Sequence, residues 1–396
     1  MLISLACLFL TGIFGAYFLQ KCKLPGLLGL LITGMIIGPY GWDLINVSVL
    51  HISQDLREIA LIIILMRAGL TLNLCDLRKV GRPALLMSFL PASMEILGMV
   101  LFAPKLLGVT ILEAAIIGAV VGAVSPAVIV PKMLSLMENQ RGTAKGIPQL
   151  IMAGASLDDV FVIVLFTVFV GLAQGQGISL FSFLQIPLSI ISGLAVGMLM
   201  GSLFAFLVKR ISLSASLKVI IVLSLAFLLV AGEDWLQNFV PFSGLLATMC
   251  MGVAIKRKDA VLADELAIKF AELWTGAEVL LFVLVGAAVN LNYATKAGVM
   301  TLIAIGLALV FRMLGVYICL LKTELNYQER FFCMIAYIPK ATVQAAIGPL
   351  PLALGLACGN IVLTMAVVAI IITAPLGAFG IDITQKRFLS CDSRAL

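Results

Sequence analysis

Apolar runs of roughly twenty residues, parted by short polar stretches, repeat along the whole chain. A helix needs ~20 apolar residues to cross a bilayer. The pattern predicts about thirteen spans, near 1–19, 25–41, 58–75, 83–103, 110–134, 147–172, 181–208, 216–231, 241–255, 268–290, 297–321, 330–350 and 360–380. The fold class this implies is an all-α polytopic membrane protein. Two runs are broken by polar and proline residues: Val124-Ser125-Pro126 to Pro131 in the fifth, and Tyr337-Ile338-Pro339-Lys340-Ala341-Thr342-Val343-Gln344 in the twelfth. Proline removes a backbone donor and turns the preceding residue away from helix. Ser125 suits an N-cap and Pro126 the first helical position. Each run is therefore expected to split into two half-helices rather than merely kink.

Lysine and arginine gather in the odd-numbered loops and the C-terminal tail, at Lys21, Lys23, Arg78, Lys79, Arg82, Lys132, Arg141, Lys145, Lys209, Arg210, Lys218, Lys256, Arg257, Lys258, Lys269, Lys322, Arg330, Lys386, Arg387 and Arg394. The even-numbered loops hold only Arg57, Lys105 and Lys296. By the positive-inside rule the C-terminus is cytoplasmic and the N-terminus outside. The fifth and twelfth spans then run in opposite senses. Spans 4–6 and 11–13 read as inverted repeats, each with a broken, crossed middle helix. Paired broken helices of this kind mark a secondary transporter with its site at the repeat interface.

Few charges lie deep in the spans. They are Glu95, Asp158, Asp159, Glu278, Arg67, Arg312 and Lys340. An ionisable group at that depth costs roughly 2.5–3.5 kcal/mol on insertion scales. Asp158 and Asp159, in Gly154-Ala155-Ser156-Leu157-Asp158-Asp159-Val160 of the sixth span, are the most telling. Neighbours on a helix point ~100° apart, so the two have separate tasks: one lines a cavity, the other reaches a neighbouring helix. A buried carboxylate beside a second one can trade a proton for a hard cation such as Na⁺ or Li⁺, which prefers oxygen ligands. Ser125 and Thr342, on the two breaks, are the further candidates for ion or proton binding. Glu95 and Arg312 occupy corresponding places in the repeats and are expected to pair. Lys340 is placed to offset the negative end of a half-helix. Arg67 and Glu278 fall outside the repeats and read as a structural ion pair.

Composition narrows the alternatives. The chain is 62% hydrophobic and 12% charged, with little room for a soluble domain among 396 residues. Its net charge of +6 sits in short loops and does not suggest nucleic acid. Its eight cysteines show neither metal-ligand nor disulfide spacing. His51 reads as a solvated loop residue. The first span lacks a basic leader and reads as a retained helix.

Gly154–Asp159 resembles the double-aspartate motif of the monovalent cation:proton antiporter superfamily. Ser125-Pro126 to Pro131, Arg67-Ala-Gly-Leu70 and Pro339-Lys-Ala-Thr-Val-Gln344 resemble its NHA branch of sodium/proton antiporters. The resemblance runs from the third span to the twelfth. It implies a homodimer in the cell membrane and elevator-type exchange of Na⁺ or Li⁺ for H⁺, with no cofactor beyond the transported ions. It implies dimerisation parts at 1–80 and 211–292, core parts at 81–175 and 293–396, and a linking helix at 176–210. Asp159 would be the main ion and proton carrier, with Asp158 beside it and Arg312 and Glu95 as the basic residue and its acidic partner. Many double-aspartate antiporters have lysine where Arg312 stands. Arginine keeps its charge, so electroneutral exchange is an alternative to the electrogenic kind.

K⁺/H⁺ exchange and cation-coupled solute symport suit the same pattern. A channel fits paired broken helices less well. An intramembrane aspartyl protease needs two carboxylates facing one water, which adjacent residues cannot provide.

Overall fold

Every regular element among the described residues is a helix. A bilayer offers no water to backbone N–H and C=O groups, so a spanning segment must satisfy them internally. The computed structural model describes residues 1–22, 24–72, 81–175, 180–210, 213–236 and 242–390. Lys23, Arg78, Lys79 and Arg394, which contribute to the expected orientation, lie outside the described residues, as does the start of the expected linking helix.

Among the described residues nine stretches are long and apolar enough to cross a membrane: Leu2–Lys21, Arg82–Leu107, Ile111–Glu138, Ile147–Ala173, Ile191–Val208, Ala215–Glu233, Ala260–Ala287, Gly298–Cys319 and Gly359–Phe388. The other expected spans are helical but less regular. Gly26–Ile37 has 12 residues and Gly244–Lys258 has 15. Ser53–Thr71 carries Asp55, Arg57, Glu58 and Arg67. The twelfth is divided between Tyr327–Ala336 and Thr342–Ile347.

Both interruptions follow from sequence. Thr110 opens the Ile111–Gly122 helix with a capping box to Glu113. That helix stops at Ala123, whose ψ of 146° is extended. The chain restarts at Pro126 with Ser125 as the N-cap residue. At the other broken span Asn326 and Glu329 form a capping box at the start of Tyr327–Ala336. Such boxes satisfy two orphan donors reciprocally.

The chain divides into two compact units. The first comprises Met1–Gln54, Leu74–Gln174 and Leu281–Leu396. It holds both broken spans and a core in which Met87, Ile129, Ile151, Phe332, Cys333 and Tyr337 are buried together. Within this unit the Gly26–Ile37 helix packs backbone to backbone on Val283. The second unit comprises Asp55–Asn73 and Gly175–Leu280. Gly193, Gly197 and Gly201, four residues apart on one face, set the Leu180–Val208 helix against carbonyls of Ser243, Ala247 and Met251. Small residues at this spacing let membrane helices approach closely.

Candidate functional site

The two aspartates ride near the middle of the Ile147–Ala173 helix. Asp158 is 0% exposed and Asp159 7%. They have different surroundings, as their angular separation requires. Asp158 Oδ2 accepts Arg312 Nη2–H at 2.7 Å and the Val124 N–H at 2.8 Å. Asp158 Oδ1 and Asp159 Oδ1 are buried and have no hydrogen-bond partner among the described residues.

Arg312, 1% exposed, is the hub. Its Nη1–H donates to Glu95 Oε2 at 3.0 Å and to the Gly122 carbonyl. Its Nε–H donates to the Tyr337 carbonyl at 2.8 Å. The planar guanidinium presents its donors as a fixed fork, which suits it to several acceptors at once. Lys340 Nζ lies 2.8 Å from both carboxylate oxygens of Glu95 and also donates to the Val121 carbonyl. The expected Glu95–Arg312 pair is therefore present, with Lys340 as its third member.

Unpaired carbonyls end every helix, and here they are covered by the opposite break and by Arg312. Arg312 and Lys340 cover Gly122 and Val121 at the end of the Ile111–Gly122 helix. Gln344 Nε2–H donates to the Ala123 carbonyl at 2.8 Å, and the Ser125 N–H donates to Pro339 O at 2.8 Å. The hydroxyls of Ser125 and Thr342 lie 3.4 Å apart. Four of the residues singled out from sequence (Glu95, Asp158, Arg312 and Lys340) are thus joined in one buried hydrogen-bonded network. Ser125 and Thr342 form a second pair, next to it along the chain through Val124 and Pro339. Asp159 adjoins the network in sequence.

Arg67 and Glu278, the expected structural ion pair, both lie in the second unit. No hydrogen bond or ion pair within 4.0 Å links them among the described contacts.

Sequence reasoning singled out the charges together with Ser125 and Thr342 and missed three other neutral residues. Gln344 is fully buried and holds the first break. The Thr373 hydroxyl accepts the Lys340 N–H at 3.0 Å. Tyr337 packs its ring under Arg312, 5.5 Å from ring centroid to guanidinium carbon. The six-residue stretch from Pro339 to Gln344 carried the available signal, since polar residues after a proline in an apolar run have carbonyls to serve.

The network sets two carboxylates, Glu95 and Asp158, against two cationic side chains, Arg312 and Lys340. The comparisons with known proteins concern the chain as a whole. The family model described as "Sodium/hydrogen exchanger, transmembrane" matches residues 5–386. Sodium/hydrogen exchanger 9B2 of Homo sapiens is 34% identical, over 98% of this chain and 75% of that protein. Sodium/hydrogen exchanger 9B1 of Homo sapiens is 31% identical, over 98% and 78%. Among solved structures, the sodium proton antiporter MjNhaP1 of Methanocaldococcus jannaschii at pH 8 shares the fold, with a TM-score of 0.86 over 97% of each chain and 21% identity.

Proposed function

The chain belongs to the family of transmembrane sodium/hydrogen exchangers, multi-pass cation:proton antiporters and not enzymes, and from that premise we propose that Asp159 carries Na⁺ or Li⁺ in one direction and H⁺ in the other. One observation supports this above the rest. Glu95 and Asp158 are matched in charge by Arg312 and Lys340, all within one buried network. Asp159 alone is surplus. Either a cation or a proton neutralises it, but not both together, and that competition is the exchange.

The stoichiometry follows from the same count. Arg312 stays charged and remains with Asp158 and Glu95. One Na⁺ then replaces one H⁺, and the cycle moves no net charge. Asp158, Ser125 and Thr342 complete the ion's surroundings. The core parts at 81–175 and 293–396 carry the ion by elevator movement against the dimerisation parts at 1–80 and 211–292, in a homodimer whose C-terminus is cytoplasmic. The antiparallel broken helices support the alternating access.

The test is proton flux in proteoliposomes under an imposed pH gradient, with Na⁺, Li⁺, K⁺ or choline added in turn. Na⁺ and Li⁺ dissipate the gradient in the wild type, and Asp159→Asn abolishes the effect. With rising proton concentration the apparent KM for Na⁺ increases while kcat holds, as competition demands. Dissipation by K⁺ alone would instead make the chain a potassium/proton exchanger. Full activity in folded Asp159→Asn would remove the carrier from this residue.

A further inference from the structure

The Ala123–Val124 peptide is gripped at both edges. Its carbonyl accepts Gln344 Nε2–H at 2.8 Å and its N–H donates to Asp158 Oδ2 at 2.8 Å. The C=O and N–H of a trans peptide point to opposite sides of one rigid plane. Gln344 and Asp158 therefore hold the same plate from opposite edges. The plate lies between the Ile111–Gly122 and Pro126–Glu138 helices and belongs to neither.

Gln344 is 0% exposed, and its Oε1 has no hydrogen-bond partner among the described residues. A methionine of similar length would fill this space without burying an unpaired oxygen. What only the amide supplies is the N–H given to Ala123. We infer that Gln344 is a positioning residue for Asp158, acting through the Ala123–Val124 peptide to set the affinity of the aspartate pair for the transported cation. The inference rests on reading that pair as the cation site.

The geometry gives the mechanism. The Val124 N–H and Arg312 Nη2 both engage Oδ2 of Asp158, which leaves Oδ1 without a partner. Arg312 offers Asp158 only Nη2, because its Nη1 and Nε are taken by Glu95, Gly122 and Tyr337. The Val124 N–H held by Gln344 is the second contact that fixes the carboxylate. Once the plate is released, a single hydrogen bond holds Asp158 and the carboxylate turns about it. Oδ1 is then no longer held in place for the cation.

The experiment uses the full chain in detergent and follows its thermal unfolding as Na⁺ is titrated. In Gln344→Met the Na⁺ concentration for half-maximal stabilisation rises about fivefold, the size expected for one lost hydrogen bond. The unfolding temperature without Na⁺ is recorded separately and carries any purely structural loss. In an Asp158→Asn background Gln344→Met adds no further rise, because the group it positions is gone. Gln344→Asn keeps the amide but shortens its reach, is expected to give the same rise, and takes the place of Gln344→Met should that variant not fold. An unchanged half-saturating concentration, or an equal rise in the Asp158→Asn background, would overturn the inference and leave the antiporter reading standing. A wild type with neither Na⁺-dependent stabilisation nor Na⁺-driven proton flux would overturn both.

Discussion

Tyr337 and Gly154 show how tightly single residues set the site. A Cβ on Gly154 would collide with Tyr337 Oη, while Tyr337 Cζ lies 3.3 Å and Met87 Cβ 3.0 Å from the same point. Gly154 stands one helical turn before Asp158, so the collision would displace the aspartates. Gly154→Ala is expected to destabilise the protein by about 1–3 kcal/mol, the usual cost of overpacking. Tyr337 Oη has no hydrogen-bond partner among the described residues, so removing it forfeits no bond. Tyr337→Phe should therefore be tolerated alone and should restore most of the stability of Gly154→Ala. Thermal unfolding of the two single variants and the double variant checks this, and additive losses would refute it. Neither residue stands out in the sequence, where a glycine and a tyrosine in apolar runs look ordinary. Asp158, Asp159, Arg312 and Lys340 stand out because charge in such a run is costly.

At the level of elements, the breaks were legible and their partners were not. Ser125-Pro126 and Pro339-Lys340 announce interruptions through proline chemistry alone. The capping boxes at Thr110 and Asn326 are equally local, and mark the start of each first half-helix. Asn326→Ala should cost about 1 kcal/mol of stability, seen as a lower unfolding temperature with unaltered Na⁺ affinity. An affinity change as large as that of Gln344→Met would count against a purely local role. No local pattern reveals that Arg312 caps Gly122 and Lys340 caps Val121, at separations of 190 and 219 positions. Hydropathy also blurs spans that are short, charged or split, such as Gly26–Ile37, Ser53–Thr71 and Tyr327–Ala336. Each trades apolar length for packing or function.

For the molecule as a whole, the charge balance makes a prediction that no single residue makes. If the network carries one surplus negative charge and arginine never gives up its own, the transport cycle moves no net charge. Na⁺-driven proton flux should then be unaffected by a membrane potential set with K⁺ and valinomycin. Acceleration or slowing by the potential would show that a second charge takes part. The broken spans and the buried charges were readable in the sequence because proline chemistry and insertion energetics constrain them strongly. The packing of the Gly26–Ile37 helix on Val283 was not, since it depends on which apolar face meets which.

Each break relies on the opposite break and on Arg312 for its caps, and this bears on how the chain is made. Val121, Gly122 and Ala123 emerge from the ribosome long before Arg312, Lys340 and Gln344 exist. Bare carbonyls are not tolerated against lipid. The first broken helix must therefore wait beside water or the insertion machinery until the last third of the chain arrives. The buried network is in this sense the final piece of the protein to be assembled, and a chain cut short before Arg312 would be left with an unfinished helix that quality control can recognise.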